Sequence, residues 1–219
     1  MPNNLKKSEA ASLEAYRVAL ENVTAQERIA SKMLELGYDD AVLAEGRSLL
    51  KETLEKYQAN RLEESERSDA FDRFTSLWGE LDQTYTLHRK KVKVIFKDEP
   101  ALLEKLGSDK QIPSPYVNWV QVLKAFYNAL LADAEIQQKV KRLKLSVEDM
   151  QAALYKIEQL DKARAEYMKE KGESQDATQI KNDAFARMDS WMSEFYAVAR
   201  IALDDSPQLL EALGKPVKS

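Results

Sequence analysis

His88, the single histidine of the 219-residue chain, has the side chain best suited to acid–base chemistry near neutral pH. One histidine cannot build a ferritin-like di-iron site, which needs a Glu-x-x-His motif on each of two helices. A serine hydrolase is not favoured either, because the chain contains no Gly-x-Ser-x-Gly motif. We therefore predict that His88 is a packed or hydrogen-bonded structural residue. The alternative is a pocket between helices on which His88, Tyr85 and Arg89 converge.

The chain contains one basic and one acidic run that could bind a ligand or an ion. The basic run Arg89-Lys90-Lys91-Val92-Lys93 lies near the end of a predicted helix, where cations stabilise the negative end of the helix dipole. Its counterpart in the second half of the chain, Ala197-Val198-Ala199-Arg200, has lost most of the charge. The acidic run Glu63-Glu64-Ser65-Glu66 lacks the loop and glycine of a calcium site. We interpret both runs as structural or solvated, and predict no catalytic, cofactor-binding or metal-binding residue and no cofactor.

Aromatic side chains at helical spacing could form the wall of a ligand cavity, but they more often form a core. We interpret them as core residues and keep the cavity as the alternative. No Gly-x-Gly-x-x-Gly or Walker motif indicates a nucleotide site. The aromatic residues concerned are Phe71, Phe74, Trp78, Tyr85, Trp119, Phe126, Tyr127, Trp191, Phe195 and Tyr196.

The overall charge argues against some classes of partner. A net charge of −4 and a pI near 5.3 do not favour general binding to nucleic acid or to an acidic membrane surface. The sequence has no cysteine, no apolar stretch of signal-peptide type at its start and no window apolar enough to span a membrane. We predict a cytoplasmic protein that binds neither nucleic acid nor membranes.

The elements that position these residues are predicted to be helices. Hydrophobic residues make up 44% of the chain and charged residues 32%, with 6 Gly and 6 Pro, which is typical of an all-α protein. The most regular apolar series predicts a helix from Arg67 to Lys97 whose seam packs against a facing helix. A separate helix is predicted from Asp39 to about Leu62. The seam residues are Phe71, Phe74, Trp78, Leu81, Tyr85, His88, Val92 and Ile95.

Residues that favour helix ends predict the turns. Ser8 or Ser12 can cap the first helix, and Gly37 with Asp39 can end one helix and begin the next. Capping boxes are predicted at Thr24–Glu27, unless one long helix continues through it, and at Ser146–Asp149.

Two ten-residue stretches indicate an internal duplication. Asp98–Gly107 and Asp205–Gly214 share seven of ten residues and lie 107 positions apart (205 − 98). We predict an all-α antiparallel helical bundle built from two pseudo-repeats of about 107 residues. The repeats are residues 1–107 and 116–219, joined by a linker at 108–115, and they could share one core. We expect the second repeat to break at Lys171–Ser174 and to have a final helix seven residues shorter than its counterpart.

The turn Leu36-Gly37-Tyr38 and the C-terminal stretch Ala199–Gly214 resemble those of a group of uncharacterised bacterial all-helical proteins. The resemblance implies a shared fold and no particular activity. The leading hypothesis for function is a non-enzymatic interaction or scaffold protein, because no catalytic constellation is present. The alternatives are a small-ligand-binding protein or enzyme with an aromatic pocket between helices, and self-association through an exposed part of the seam.

Overall fold

A computed structural model describes residues 8–216, and this part of the chain is helical without any strand. The all-α prediction is therefore confirmed. The elements are α1 (Glu9–Ala25), α2 (Glu27–Glu35), α3 (Asp40–Ile95), α4 (Pro100–Lys105), α5 (Tyr116–Leu131), α6 (Ala134–Lys141), α7 (Val147–Ala202) and a final 3-10 helix (Pro207–Leu213). None of the helices in residues 8–216 has a stretch both long enough and apolar enough to cross a membrane.

Most predicted helix ends are confirmed. The Ser8 hydroxyl accepts a hydrogen bond from the Ala11 amide at the start of α1. Gly37 ends the α2 turn with a φ of 88°, in the left-handed region that favours glycine. The Asp39 carboxylate accepts hydrogen bonds from two amides in the first turn of α3. Ser146 and Asp149 form a complete capping box, since each side chain accepts from the other's backbone amide.

The capping box predicted at Thr24–Glu27 is wrong, although a break does occur there. The residue before α2 is Gln26, whose side chain makes no capping hydrogen bond. The Thr24 hydroxyl instead donates to the carbonyl of Glu21, one turn earlier in the same helix. Thr24 therefore serves α1, and α2 begins without a side-chain cap.

The predicted interruptions in the two longest helices are also wrong. α3 continues without a break through the charged run at 63–69, and α7 continues through Gly172. Glu and Arg are good helix formers, and a single exposed helical glycine costs only about 1 kcal/mol relative to alanine. Both helices have 56 residues, and α7 begins and ends 107 positions after α3 (147 − 40 and 202 − 95). The expected seven-residue difference in length is therefore absent.

The chain packs into two compact units. Of the described residues, unit 1 contains 8–64 and 173–216, and unit 2 contains Ser65–Gly172. Each unit contains residues from both predicted repeats, so the units do not coincide with residues 1–107 and 116–219. The division at 108–115 stays a prediction about the sequence; the segment itself contains no helix before Tyr116.

In unit 1, α1, α2 and the 3-10 helix pack against segments of α3 and α7 around a common core. Within these contacts, a later residue of α3 pairs with an earlier residue of α7. Arg187 donates to Glu52 at 2.6 Å, and Asn60 donates to Thr178 at 3.0 Å. The fully buried core side chains include Leu20, Ile29, Met33, Phe195 and Leu203.

In unit 2, α4, α5 and α6 pack in the same manner against other segments of α3 and α7. Two ion pairs join these segments: Arg73 with Glu166 at 2.9 Å and Glu80 with Lys156 at 3.3 Å. Again the later residue of α3 pairs with the earlier residue of α7. The core contains most of the predicted seam of α3, but Phe71 is 43% exposed. Fully buried core residues include Leu81, Tyr85, Val92, Phe96, Phe126 and Tyr127.

Candidate ligand pocket in unit 2

A cavity of about 290 Å³ lies in unit 2 beside Tyr85, and we call it the Tyr85 pocket. Tyr85 is a seam residue of α3, so the apolar periodicity that buries this helix also turns the tyrosine inward. The other walls are the end of α4, the segment that follows it and one face of α5. The lining residues are Tyr85, Glu104, Lys105, Leu106, Gly107, Lys110, Gln111, Ile112, Pro113, Val122 and Ala125.

The segment after α4 is held in place by local sequence features and by Arg89. Gly107 has a φ of 63°, which lets the chain reverse at the end of α4, and the Ser108 amide donates to the Leu103 carbonyl at 2.9 Å. The Arg89 guanidinium donates to the Ser108 carbonyl at 3.0 Å and also to the Lys110 carbonyl. Arg89 lies one helical turn after Tyr85 on α3. These two hydrogen bonds therefore hold residues 108–110 close to Tyr85.

Three buried polar atoms here have no hydrogen-bond partner among the described residues: Tyr85 Oη, Arg89 Nε and Ser108 Oγ. The side chains of Tyr85 and Ser108 are completely buried. An unsatisfied buried polar group costs about 1–3 kcal/mol, and native proteins contain few of them. Of the three residues, Tyr85 lines the cavity, whereas Arg89 and Ser108 belong to the contact that holds the segment after α4.

Burial raises the pKa of Tyr85; Arg89 opposes this effect and Asp82 adds to it. The tyrosine is therefore neutral near pH 7, and its hydroxyl can both donate and accept a hydrogen bond. The charge of Arg89 is not neutralised by a side chain, because no carboxylate in residues 8–216 forms an ion pair with it.

His88 is 7% exposed and does not line the pocket. Its Nδ1 atom shares a hydrogen bond with the Tyr127 hydroxyl at 3.1 Å, and the Tyr127 ring lies 6.3 Å from the Tyr85 ring. Burial and Lys91 lower the pKa of His88, while Asp149 opposes them. The interpretation of His88 as a structural residue therefore accounts for its contacts. His88 contacts Tyr127, whose ring lies near Tyr85, and does not itself line the pocket.

The basic run at 89–93 also makes structural contacts. Lys91 donates to the Lys144 carbonyl at 3.0 Å, in the turn between α6 and α7, and Arg89 binds the segment after α4 as described above. Lys90 and Lys93 are exposed. In the acidic run at 63–66, Glu64, Ser65 and Glu66 are exposed on α3 and Glu63 is half-buried.

A larger cavity of about 390 Å³ lies in unit 1 beside the turn between α2 and α3. Two of its polar side chains have structural partners: Asp39 caps α3, and Thr24 binds the Glu21 carbonyl. A third cavity, a groove of about 260 Å³ between α1 and α3, is lined by Leu13, Leu50 and Tyr57 among others. The Tyr85 pocket is the stronger candidate because an unpartnered buried hydroxyl belongs to its wall.

Sequence reasoning found some of these residues and missed others. Of the three residues in the alternative interpretation, Tyr85 lines the cavity, Arg89 binds the segment after α4, and His88 contacts Tyr127. The lining residues between 104 and 113 were not predicted to form a site, since the segment around them was read as a linker. Its prolines and the short helix before it gave no signal of a cavity.

Comparisons of the chain with protein-family models, with curated proteins and with solved structures returned no match.

Proposed function

We propose that this protein binds a small molecule in the Tyr85 pocket. The observation that carries the proposal is that Tyr85 lines a cavity while its hydroxyl is buried without a partner. Phenylalanine would fill the same space without the cost of the unsatisfied oxygen. A ligand with a polar group would supply the missing partner, and so would give the hydroxyl a function.

The composition of the pocket fits this proposal. Binding sites for small molecules combine mostly apolar walls with a few polar groups, and typical volumes begin near 300 Å³. Here Leu106, Ile112, Pro113 and Val122 supply apolar walls, and the cavity of about 290 Å³ suits a compact ligand. The Tyr85 hydroxyl has almost no accessible surface in this structure, so its contact with a ligand requires a local rearrangement of the pocket.

Nuclear magnetic resonance with three related probes tests the proposal: 4-phenylbutan-1-ol, 4-phenylbutanoate and 4-phenylbutan-1-amine. We expect at least one probe to shift the amide signals of residues 104–112 and 122–125 in a saturable manner. Ala125→Phe should block this binding, because residue 125 is exposed and lines the pocket. Val117→Phe is the matched control, since Val117 is a 56% exposed residue of the same helix outside the lining. Absence of binding, or equal binding by Ala125→Phe, would overturn the proposal.

The interaction or scaffold role predicted from the sequence is our second proposal. The groove between α1 and α3 in unit 1 supports it, because Leu54 contributes to the groove and is 42% exposed. An apolar groove of this kind can receive a side chain from a protein partner. Affinity capture with the wild type and with Leu54→Glu tests this role. A reproducible partner that the variant fails to capture would support it, and the absence of any reproducible partner would count against it.

Self-association is a weaker form of the same proposal. Its support is the exposure of Phe71, the first residue of the α3 seam, at 43%. Light scattering should then detect a dimer or larger species that Phe71→Ser weakens. A monomer at all accessible concentrations would end this proposal.

We also propose that the chain is a duplicated antiparallel bundle located in the cytoplasm. The constant 107-residue offset between α3 and α7 supports the duplication, and the order of contacts within each unit supports the antiparallel arrangement. The absence of cysteine from the sequence supports a reducing compartment. The net charge of −4 supports the expectation that nucleic acid is not a partner.

A further inference from the structure

The charged residues of the Tyr85 pocket define which ligands it would favour. Lys105, Lys110 and Glu104 line the cavity and are exposed. Within residues 8–216, the side chains of these three residues have no hydrogen-bond or ion-pair partner. The wall therefore carries two available cations against one anion.

A third cation lies behind the wall. The half-buried guanidinium of Arg89 binds only backbone carbonyls, at Ser108 and Lys110, so no carboxylate in the described residues forms an ion pair with it. A positive charge is less screened when it is partly buried than when it is exposed. The carboxylate of Asp82 also acts on Tyr85 and offsets Arg89. The net positive charge is therefore that of the lining, two cations against one anion, and it favours a negatively charged ligand.

The neutral groups of the pocket are compatible with an anion. Because burial raises the pKa of Tyr85, its hydroxyl keeps its proton and can donate to a carboxylate. The Gln111 amide at the wall offers further donors. The remaining wall residues are apolar, which requires a ligand with an apolar body.

We propose that the ligand of the Tyr85 pocket is a small organic acid with an apolar body and one carboxylate. The carboxylate lies toward Lys105 and Lys110, and the apolar body packs against Leu106, Ile112 and Val122. This assignment rests on the proposed ligand-binding function and specifies its ligand class.

The three phenyl compounds named above test the assignment, because they share the same body and differ in charge. We expect 4-phenylbutanoate to bind about fivefold or more tightly than 4-phenylbutan-1-ol, and the amine to bind most weakly. Two exposed cations justify a preference of this size. Added sodium chloride should weaken binding of the acid and leave binding of the alcohol nearly unchanged.

A charge-matched pair of variants locates the preference. Lys105→Gln/Lys110→Gln should remove most of the advantage of the acid over the alcohol. Lys90→Gln/Lys93→Gln removes the same net charge from exposed positions outside the lining and should keep that advantage. Circular dichroism on both double variants checks that the helices are intact.

The outcomes separate this assignment from the function on which it rests. If the alcohol or the amine binds as tightly as the acid, or if both double variants lose the preference equally, the acid assignment is overturned while ligand binding stands. If no probe binds, or if Ala125→Phe binds all bound probes as well as the wild type, both proposals are overturned.

Discussion

The end of α3 in unit 2 and the end of α7 in unit 1 are each followed by a short helix, but they differ in the hydrogen bonding of their buried polar atoms. In unit 2 the inward positions are Tyr85, His88 and Arg89, and two of them have a buried polar atom without a partner. The positions 107 residues later are Met192, Phe195 and Tyr196. Met192 and Phe195 carry no hydrogen-bond donor, and the Tyr196 hydroxyl donates to the Leu213 carbonyl at 3.3 Å.

The short helices that follow show the same contrast. In unit 1 the Asn22 side chain donates to the Ala212 carbonyl at 2.7 Å, and the Lys215 ammonium lies 3.9 Å from the centre of the Tyr196 ring. In unit 2 the corresponding end borders the Tyr85 pocket. Helix packing alone therefore does not require unpartnered polar atoms at such an end. Their concentration in unit 2 is the contrast on which the ligand-binding proposal rests.

The largest expected effects come from the leucines that anchor the two short helices. Leu213→Ala should lower the free energy of unfolding by about 2–5 kcal/mol, because Leu213 is completely buried. Leu106→Ala should cost less, because Leu106 borders the pocket and so has packing partners missing on one side. Urea unfolding followed by circular dichroism measures both. Leu87→Ala, at a 52% exposed position of α3, is the control. Equal losses of unfolding free energy in Leu106→Ala and Leu213→Ala would show that the two short helices are packed equally well.

The next effect concerns two glycines of α3, one in each unit. A Cβ atom at Gly46 would lie 2.4 Å from the Trp191 ring, whereas one at Gly79 would meet nothing within 4 Å. We expect Gly46→Ala to destabilise the protein by about 1–3 kcal/mol through overpacking. Gly79→Ala should instead stabilise it by up to about 1 kcal/mol through helix propensity. Melting temperatures that rise in both variants would show that Trp191 moves aside freely.

A smaller effect should appear in the pH dependence of stability. The pKa of His88 is lowered in the folded protein from its usual value of 6.5, mainly by burial, and then by Lys91 against Asp149. The unfolded chain therefore takes up this proton first as the pH falls, so the contribution is present above pH 6.5 and lost below it. His88→Phe, which copies Phe195, should remove that part of the acid sensitivity.

Unfolding free energies of the wild type and His88→Phe across the range from about pH 7.5 to pH 5.5 measure the effect. We expect the difference between the two proteins to change with pH in favour of the variant as acid is added. Two curves that stay parallel would show that His88 keeps its usual pKa in the folded protein.

Much of the fold could be predicted because short-range patterns determine it. Ser146 with Asp149 and the glycines at 37 and 107 have the roles that their positions indicate. The continuity of α3 and α7 could not be predicted from charge or from Gly172 alone, because good helix formers on both sides outweigh one weak residue.

The candidate site was less predictable than the fold. Tyr85 could be recognised as an inward aromatic residue, but whether its hydroxyl has a partner depends on chain segments that are distant in sequence. The segment that forms the pocket wall at 106–113 is held by hydrogen bonds from Arg89 to two backbone carbonyls. Every residue has a backbone carbonyl, so the sequence does not reveal which ones Arg89 binds. The two compact units have no sequence signature for a similar reason, since each unit draws on both halves of the chain.

The most direct test of the account compares Tyr85→Phe with Tyr196→Phe by urea unfolding. Removal of the unpartnered hydroxyl of Tyr85 should leave the free energy of unfolding unchanged or raise it by about 1 kcal/mol. Removal of the Tyr196 hydroxyl, which donates to Leu213, should lower it by about 0.5–1.5 kcal/mol. A loss of stability in Tyr85→Phe as large as that in Tyr196→Phe would contradict the claim that the Tyr85 hydroxyl is reserved for a ligand.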